Sequence, residues 1–218
     1  FEEQMQTRPA FDRSTCVDTR SVVFPHHLVV LPQMSAQMER VSDRCHSFAT
    51  QTVVVLSPNH FGTGKGAAQT INGRYTTPFG DLFIDHKKVA ELVDRAGVPL
   101  VPETFVNEHG VAALTPLIRT FFPEAKLVPI VVSGAITDVE AQALAAVIHG
   151  WGDRVTLVTS ADFSHEVPAY LSGFHDDLTE SWMSQSGVPS LAPAVDAVGA
   201  LRVAFARNAL SEAQVWTR

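Results

Sequence analysis

The stretch TVVVLSPNH at residues 52–60 is the starting point for predicting the fold. Its first five residues, 52–56, are β-branched or otherwise apolar without alternation, which is typical of a strand buried on both faces. Strands of this kind occur in parallel sheets that are covered by helices. The stretch then runs through Ser57 and Pro58 to His60. A side chain that can bind metal or carry a proton therefore follows the carboxyl end of a predicted core strand.

The same kind of run occurs at three other places, and helical patterns separate the runs. The further predicted strands are Ser21 to Phe24, Leu127 to Val132 and Arg154 to Thr159. Helices are predicted after Asp85, over residues 111–122, from the capping box Thr137 to Glu140 onward, and over residues 172–185 and 196–210. Alternating strands and helices predict an α/β fold with a mainly parallel central sheet flanked by helices.

A small antiparallel hairpin extension is also predicted. Asn72-Gly73 lies between two short β-prone pairs, a pattern that favours a type I′ turn. No repeat or low-complexity linker interrupts the chain, so residues 1–218 are interpreted as a single domain, possible truncation at either end being left open.

Composition excludes several classes of protein. The chain has 218 residues with 16 Lys and Arg against 23 Asp and Glu, a formal net charge of −7, which argues against binding to a nucleic-acid backbone. No apolar run approaches the roughly 20 residues of a membrane helix. The two cysteines, Cys16 and Cys45, have no zinc-knuckle spacing, and a single bridge between them stays open. We expect a soluble, cytoplasmic protein.

Histidines follow three of the four predicted strands. His26 follows the first, His60 the second, and His165 lies a few residues after the strand 154–159, just beyond Asp162. Because the carboxyl ends of parallel strands meet at one edge of a sheet, these loops are expected to converge on one site. Imidazoles and a carboxylate are ordinary ligands for iron, zinc or copper. A single such histidine is more often a hydrogen-bonded loop residue, and the argument depends on all three.

Glu108 and His109 precede the predicted helix 111–122, where they either cap the helix or take part in the site. The glycines after His60 match neither phosphate-binding pattern, which argues against a nucleotide site. No G-x-S-x-G motif supports a serine hydrolase, although serines lie near the predicted site.

Five ordered motifs together resemble the Memo family, which includes the bacterial proteins called AmmeMemoRadiSam system protein B. They are Pro25-His26, Ser57-Pro58-Asn59-His60, Thr77 to Leu82 with Asp85, Glu108-His109, and Ser160-Ala161-Asp162-Phe163-Ser164-His165. The resemblance covers roughly residues 21 to 205. It implies a fold similar to class III extradiol dioxygenases, in which two histidines and a carboxylate hold Fe(II).

Carried over by motif, the resemblance implies that His26 and His60 are metal ligands. It implies an acid/base role for His165, with Asp162 and His109 lining the same pocket. Memo proteins of the animal type have a cysteine as third ligand, and no cysteine follows Cys45 here. Asp196 lies in the corresponding region and is the substitute candidate.

The resemblance also implies iron or copper as cofactor and a redox role. The substrate is an unknown small molecule. The bacterial family name further suggests functional association with a radical-SAM protein and an AMMECR1-like protein. Three functions stay open: a metal-dependent, dioxygenase-like oxidoreductase, a non-catalytic binding or adaptor protein on the same fold, and a metal-assisted hydrolase.

Overall fold

The computed structural model describes residues 21–27, 31–43, 50–184 and 194–210. Cys16 and Cys45, and with them the question of a bridge, lie outside these residues. The strands are β1 Ser21–Phe24, β2 Thr52–Pro58, β3 Ala68–Thr70, β4 Arg74–Thr77, β5 Gly80–Phe83, β6 Lys126–Val132 and β7 Val155–Ser160. The helices are α1 Leu31–Asp43, α2 His86–Ala96, α3 Pro102–Phe105, α4 His109–Ala112, α5 Thr115–Phe121, α6 Asp138–His149, α7 Ala169–Ser184 and α8 Val198–Ala209.

The central sheet has the strand order β1-β7-β2-β6-β3. The first four strands in that order pair in parallel, and β3 adds an antiparallel edge beside β6. This confirms the predicted α/β fold. All four core strands lie at the predicted places, and each begins or ends within two residues of the predicted limits.

Strand β2 lies at the centre because both of its faces are apolar. Val54 and Leu56 pack in one core with α2, α6 and α8, whereas Val53 and Val55 pack in a second core with α1, α4 and α5. All four side chains are fully buried. Burial on both faces is the physical reason why this strand shows no alternation of apolar and polar residues.

Helix α6 forms as its sequence predicts. Thr137 Oγ1 accepts from Glu140 N–H, and the Glu140 carboxylate accepts from Thr137 N–H, which completes the capping box. At the other predicted start, Asp85 caps α2 by accepting from Lys88 N–H.

The hairpin prediction is right in kind and wrong in place. Residues 68–70 pair with β6, so they do not form a hairpin with Arg74 across Asn72-Gly73. The antiparallel pair is β4 with β5, joined through Pro78 and Phe79. Strand β6 at the edge of the main sheet is a longer and more buried partner for residues 68–70 than a hairpin across Asn72-Gly73 would provide. Gly73, with φ 129°, serves as a bend between the two sheets.

The predicted helix over residues 111–122 is two helices. Helix α4 ends at Ala112, and α5 starts at Thr115 with Pro116 in its first turn. Proline has no N–H to donate to the preceding turn, so it starts a new helix more readily than it continues one. The break leaves α4 as one short turn directly under the site.

Candidate metal centre

The carboxyl ends of β1, β7 and β2 lie side by side, as the parallel pairing requires. Phe24 at the end of β1 is level with Ser160 at the end of β7, and Leu56 in β2 is level with Thr159. The loops that leave these strands carry His26, His60 and Asp162. The expected convergence on one edge of the sheet is therefore present.

Three ligand atoms from three separate loops form a nearly equilateral triangle. His26 Nε2 lies 3.1 Å from His60 Nε2 and 3.0 Å from Asp196 Oδ2, and His60 Nε2 lies 3.2 Å from Asp196 Oδ2. Donors held about 2.1 Å from an ion lie about 3.0 Å apart at octahedral angles and about 3.4 Å apart at tetrahedral angles. The spacing fits one face of an octahedron, the arrangement of a two-histidine, one-carboxylate iron site.

The ring of His60 is held by Glu108. Its Nδ1 lies 2.6 Å from Glu108 Oε1, and its backbone N–H donates to Glu108 Oε2 at 3.1 Å. A carboxylate only accepts hydrogen bonds, so the Nδ1 atom of His60 carries the proton. In the neutral ring, the lone pair is therefore on Nε2 and directed at the triangle.

The ring of His26 is oriented by a longer chain of contacts. Ser160 Oγ donates to Gly110 O at 2.6 Å, which uses the hydroxyl proton. The same oxygen lies 3.0 Å from His26 Nδ1 and can only accept there. His26 is thus also protonated at Nδ1 and, when neutral, has its Nε2 lone pair free for a ligand.

The two aspartates are held through backbone N–H groups. Asp196 Oδ1 accepts from Asp162 N–H at 3.0 Å, and Asp162 Oδ1 accepts from His26 N–H at 2.9 Å. Each carboxylate therefore has one oxygen fixed and the other directed toward the histidines. Asp162 Oδ2 lies 3.6 Å from His26 Nε2. These three residues form a second group whose ligand atoms all lie within 4.8 Å of one another.

The triangle is a site for positive charge. With both imidazoles neutral, it consists of three lone pairs and no hydrogen atom, so only a proton or a cation between them makes the contacts attractive. The pKa values of His60 and Asp196 agree with a site for positive charge. Burial lowers the pKa of His60, but hydrogen bonds with Asp196 and Glu108 outweigh burial and raise it to about 9. Burial raises the pKa of Asp196, but its contacts with His26 and His60 outweigh that effect and lower it.

His109 lies at the open side of the cluster. Its ring is exposed and stacks on His60 with the ring centres 4.0 Å apart, and its nitrogen can join His26 and His60 in a three-histidine group within 4.8 Å. Burial, followed by the positive charge of His60 and His26, lowers the pKa of His109. His109 is therefore neutral at neutral pH and can accept a proton. Phe61, half exposed, lies beside it with the ring centres 6.2 Å apart.

His165 is the predicted site residue that the structure does not bring into the cluster. Its side chain is exposed, its backbone N–H donates to Ala194 O, and it belongs to neither group of ligand atoms found in the described part of the chain. Its neighbours Ser164 and Glu166 have φ of 53° and 56°, which is uncommon for residues other than glycine. Ser164 donates to Asp176 Oδ1 of α7 at 2.6 Å, which helps to hold this loop.

Two supporting residues had roles that the sequence did not reveal. Glu108 appeared only as a helix cap or a site residue, and it is both: its carboxylate accepts from Gly110 N–H at 2.8 Å as well as from His60. Ser160 is the second, because its hydroxyl accepts from His26 Nδ1 and donates to Gly110 O. A Cβ at Gly110 would collide with Ser57 Oγ, so this position needs glycine. In the sequence, the feature that comes closest to indicating the role of Glu108 is its position next to His109.

Fold and site together define the class: an α/β protein with a candidate mononuclear metal centre at the carboxyl edge of a parallel sheet. A family model described as "Memo-like protein" matches residues 2–187, so the chain belongs to the Memo-like family. The match ends before Asp196.

Curated relatives are similar over part of this chain. A MEMO1 family protein of Caldivirga maquilingensis is 33% identical over 122 residues, which cover 53% of this chain and 42% of the relative. One of Pyrobaculum arsenaticum is 31% identical over 134 residues, covering 59% and 47%. The chain thus spans about half the length of the curated relatives it matches. These relatives are mostly archaeal, so they do not support a bacterial origin.

None of the helices in the described ranges combines the length and hydropathy that a membrane crossing requires.

Proposed function

We propose that this protein holds one divalent metal ion between His26, His60 and Asp196 and acts as a metal-dependent oxidoreductase of the dioxygenase type. The observation that carries the proposal is the triangle of lone pairs with sides of 3.0 to 3.2 Å. Its three members come from loops more than 30 residues apart in sequence. With neutral imidazoles the three atoms have no hydrogen between them, so the arrangement needs either a proton on His60 or a bound cation.

Iron(II) fits this donor set better than copper does. Cu(I) prefers thiolate and thioether ligands, and Cu(II) prefers a planar arrangement, whereas the three donors here occupy one face and include a hard carboxylate. When bound, Fe(II) on such a face supplies open positions at which an electron-rich substrate and dioxygen can react. The balanced reaction of this class adds both atoms of one O₂ molecule to a catechol and opens its ring.

The chain's own residues would bind, orient and manage protons. Glu108 and Ser160 keep the two imidazoles in the tautomer that leaves Nε2 free. His109, held neutral beside the cluster, can accept the proton that a hydroxyl substrate loses on binding. Asp162 Oδ2 provides a second acceptor near His26.

A metal-assisted hydrolase is the second candidate. The observation in its favour is the same neutral His109, because a base beside a divalent ion could equally accept a proton from bound water. The hypothesis of a non-catalytic binding or adaptor protein rests on the lack of a cysteine as third metal ligand. The position of Asp196 Oδ2, within 3.2 Å of both histidines, weakens that hypothesis.

Elemental analysis tests the metal site first. Protein purified without an affinity metal and then loaded anaerobically with Fe(II) should contain close to one iron per chain, and the His26→Ala, His60→Ala double variant should lose it. The matched control is the double variant His86→Ala, His149→Ala, which removes two exposed histidines far from the site. Iron retained by the first variant, or absent from the wild type, would contradict the proposal.

Oxygen consumption then separates the two enzyme classes. Iron-loaded protein supplied with catechols should consume O₂ in step with ring opening, which is followed by absorbance. Hydrolysis of aryl esters without oxygen uptake would favour the hydrolase. Association with a radical-SAM protein and an AMMECR1-like protein, and a cytoplasmic location, stay predictions.

A further inference from the structure

We propose that the site selects neutral or cationic phenol- or catechol-type ligands and rejects those that carry an additional anionic group. The inference rests on the proposed metal centre and specifies its substrate class. It comes from the charge of the cluster, from the distribution of basic residues along the chain and from the free oxygen of Asp162.

The cluster keeps a negative charge even with a divalent ion in place. Asp196, Glu108 and Asp162 supply three carboxylates, all within one network of contacts around His26 and His60. With neutral imidazoles, three negative charges against two positive charges leave a net charge of −1. A ligand with an extra carboxylate or phosphate would be repelled, and the repulsion is strong because most of these groups are shielded from water.

In the described part of the chain, the segments that carry the site residues contain no Lys or Arg. These segments are residues 21–27, 52–64, 102–118, 155–184 and 194–201. Enzymes that recognise carboxylate or phosphate substituents generally place Arg or Lys against them. Two of the basic residues of this chain, Lys126 and Arg154, instead lie at the amino ends of β6 and β7, on the opposite edge.

Lys65 is the described basic residue nearest in sequence to a ligand histidine, and it must be part of the test. It lies five residues beyond His60 in a loop whose residues 61–66 are all exposed. An exposed lysine on a glycine-rich loop is well hydrated and contributes little to binding. If Lys65 did recognise an anion, its removal would reveal that contribution.

Asp162 supplies the group that favours a donor on the ligand. Its Oδ1 is already occupied by His26 N–H, whereas its Oδ2 lies 3.6 Å from His26 Nε2, beyond hydrogen-bonding distance. The Asp162 side chain is 16% exposed, so it is partly accessible to a ligand. It is suited to accept a hydrogen bond from a hydroxyl or an ammonium group of a bound ligand.

The open side also offers an uncharged aromatic wall. Phe61 is 54% exposed and lies next to His109. An exposed phenylalanine beside a polar cluster can pack against a flat ring. It is also a position where a positive charge can be introduced without disturbing the core.

Three probes that share the catechol group test the inference: catechol itself, its carboxylate derivative protocatechuate and its aminoethyl derivative dopamine. Each is titrated calorimetrically into the full chain after anaerobic Fe(II) loading, with the iron content checked first. Catechol and dopamine should bind, and protocatechuate should bind about tenfold more weakly than catechol.

Charge variants make the test sharper. Phe61→Arg should strengthen protocatechuate binding relative to dopamine by about three- to tenfold, because it supplies the missing cation. Phe83→Arg is the matched control, since Phe83 is equally exposed at 54% and lies on β5, next to the start of β6 at the other end of the sheet. It should leave the ratio unchanged.

The outcomes separate the two proposals. A chain that takes up no iron refutes the metal centre itself. Iron-loaded protein that binds protocatechuate as tightly as catechol, or that binds none of the three probes, refutes the inference and leaves the metal centre standing. Preference for protocatechuate that disappears in Lys65→Gln would also refute it, because the glycine-rich loop would then be an anion site.

Discussion

Glu108→Gln tests how far metal binding depends on the residue behind the ligand. In the structure, the carboxylate accepts from four donors: His60 Nδ1 at 2.6 Å, Gly110 N at 2.8 Å, His60 N at 3.1 Å and Ser57 Oγ at 3.3 Å. An amide has one accepting oxygen and one donating nitrogen. Whichever way the introduced amide is turned, its NH₂ group faces a donor. Either His60 loses a backbone contact or its ring must move the proton to Nε2, where the metal would bind.

We expect this substitution to weaken Fe(II) binding by about ten- to a hundredfold, or about 1.4 to 2.7 kcal/mol. The loss of a charge-assisted hydrogen bond, about 1.5 to 3 kcal/mol, is of the same size. Anaerobic calorimetry measures the affinity, and circular dichroism checks the fold. Glu103→Gln, an exposed glutamate five residues earlier, is the matched control. Wild-type affinity in a folded Glu108→Gln variant would refute the reasoning.

Three further predictions follow from the same geometry. The pKa of His60 in the folded protein is raised to about 9, so its stabilising charge is fully present below pH 6.5 and is lost as the pH rises to 9. The melting temperature of the metal-free protein should therefore fall between pH 6.5 and pH 9. A constant melting temperature would contradict this. Asp196→Ala should reduce Fe(II) affinity at least a hundredfold by calorimetry, whereas Asp138→Ala, at an exposed site, should not; equal affinities would remove Asp196 from the ligand set. Gly110→Ala should destabilise the fold by about 1 to 3 kcal/mol in chemical denaturation, because its Cβ collides with Ser57 Oγ; an unchanged midpoint would show that the site can relax.

The sequence predicted the elements whose cause is local. A doubly buried strand such as β2 has an unmistakable composition, and the capping box at Thr137 needs only four residues to identify it. The convergence of His26 and His60 followed from the parallel arrangement alone, because the carboxyl ends of such strands share an edge.

What the sequence could not predict depends on competition between distant partners. The hairpin predicted between Thr70-Ile71 and Arg74-Tyr75 does not form because Thr70 belongs to β3, which pairs with a strand about 60 residues away. The role of Glu108 was equally hidden, since its partner His60 lies 48 residues earlier. His165 belongs to a recognisable motif, but the direction of its side chain depends on backbone angles at Ser164 and Glu166 that no pattern encodes.

The pairing of β1 with β7 also determines when the site can assemble during synthesis of the chain. Ser21 pairs with Leu157, and the contact between His26 and Asp196 joins residues 170 positions apart. During synthesis, His26 and His60 emerge long before the segment that aligns them, so the partial chain on the ribosome has no assembled triangle to offer an ion. Contacts of such long range form late and slowly. A metal ion held by all three ligands would therefore bind only after the chain has folded.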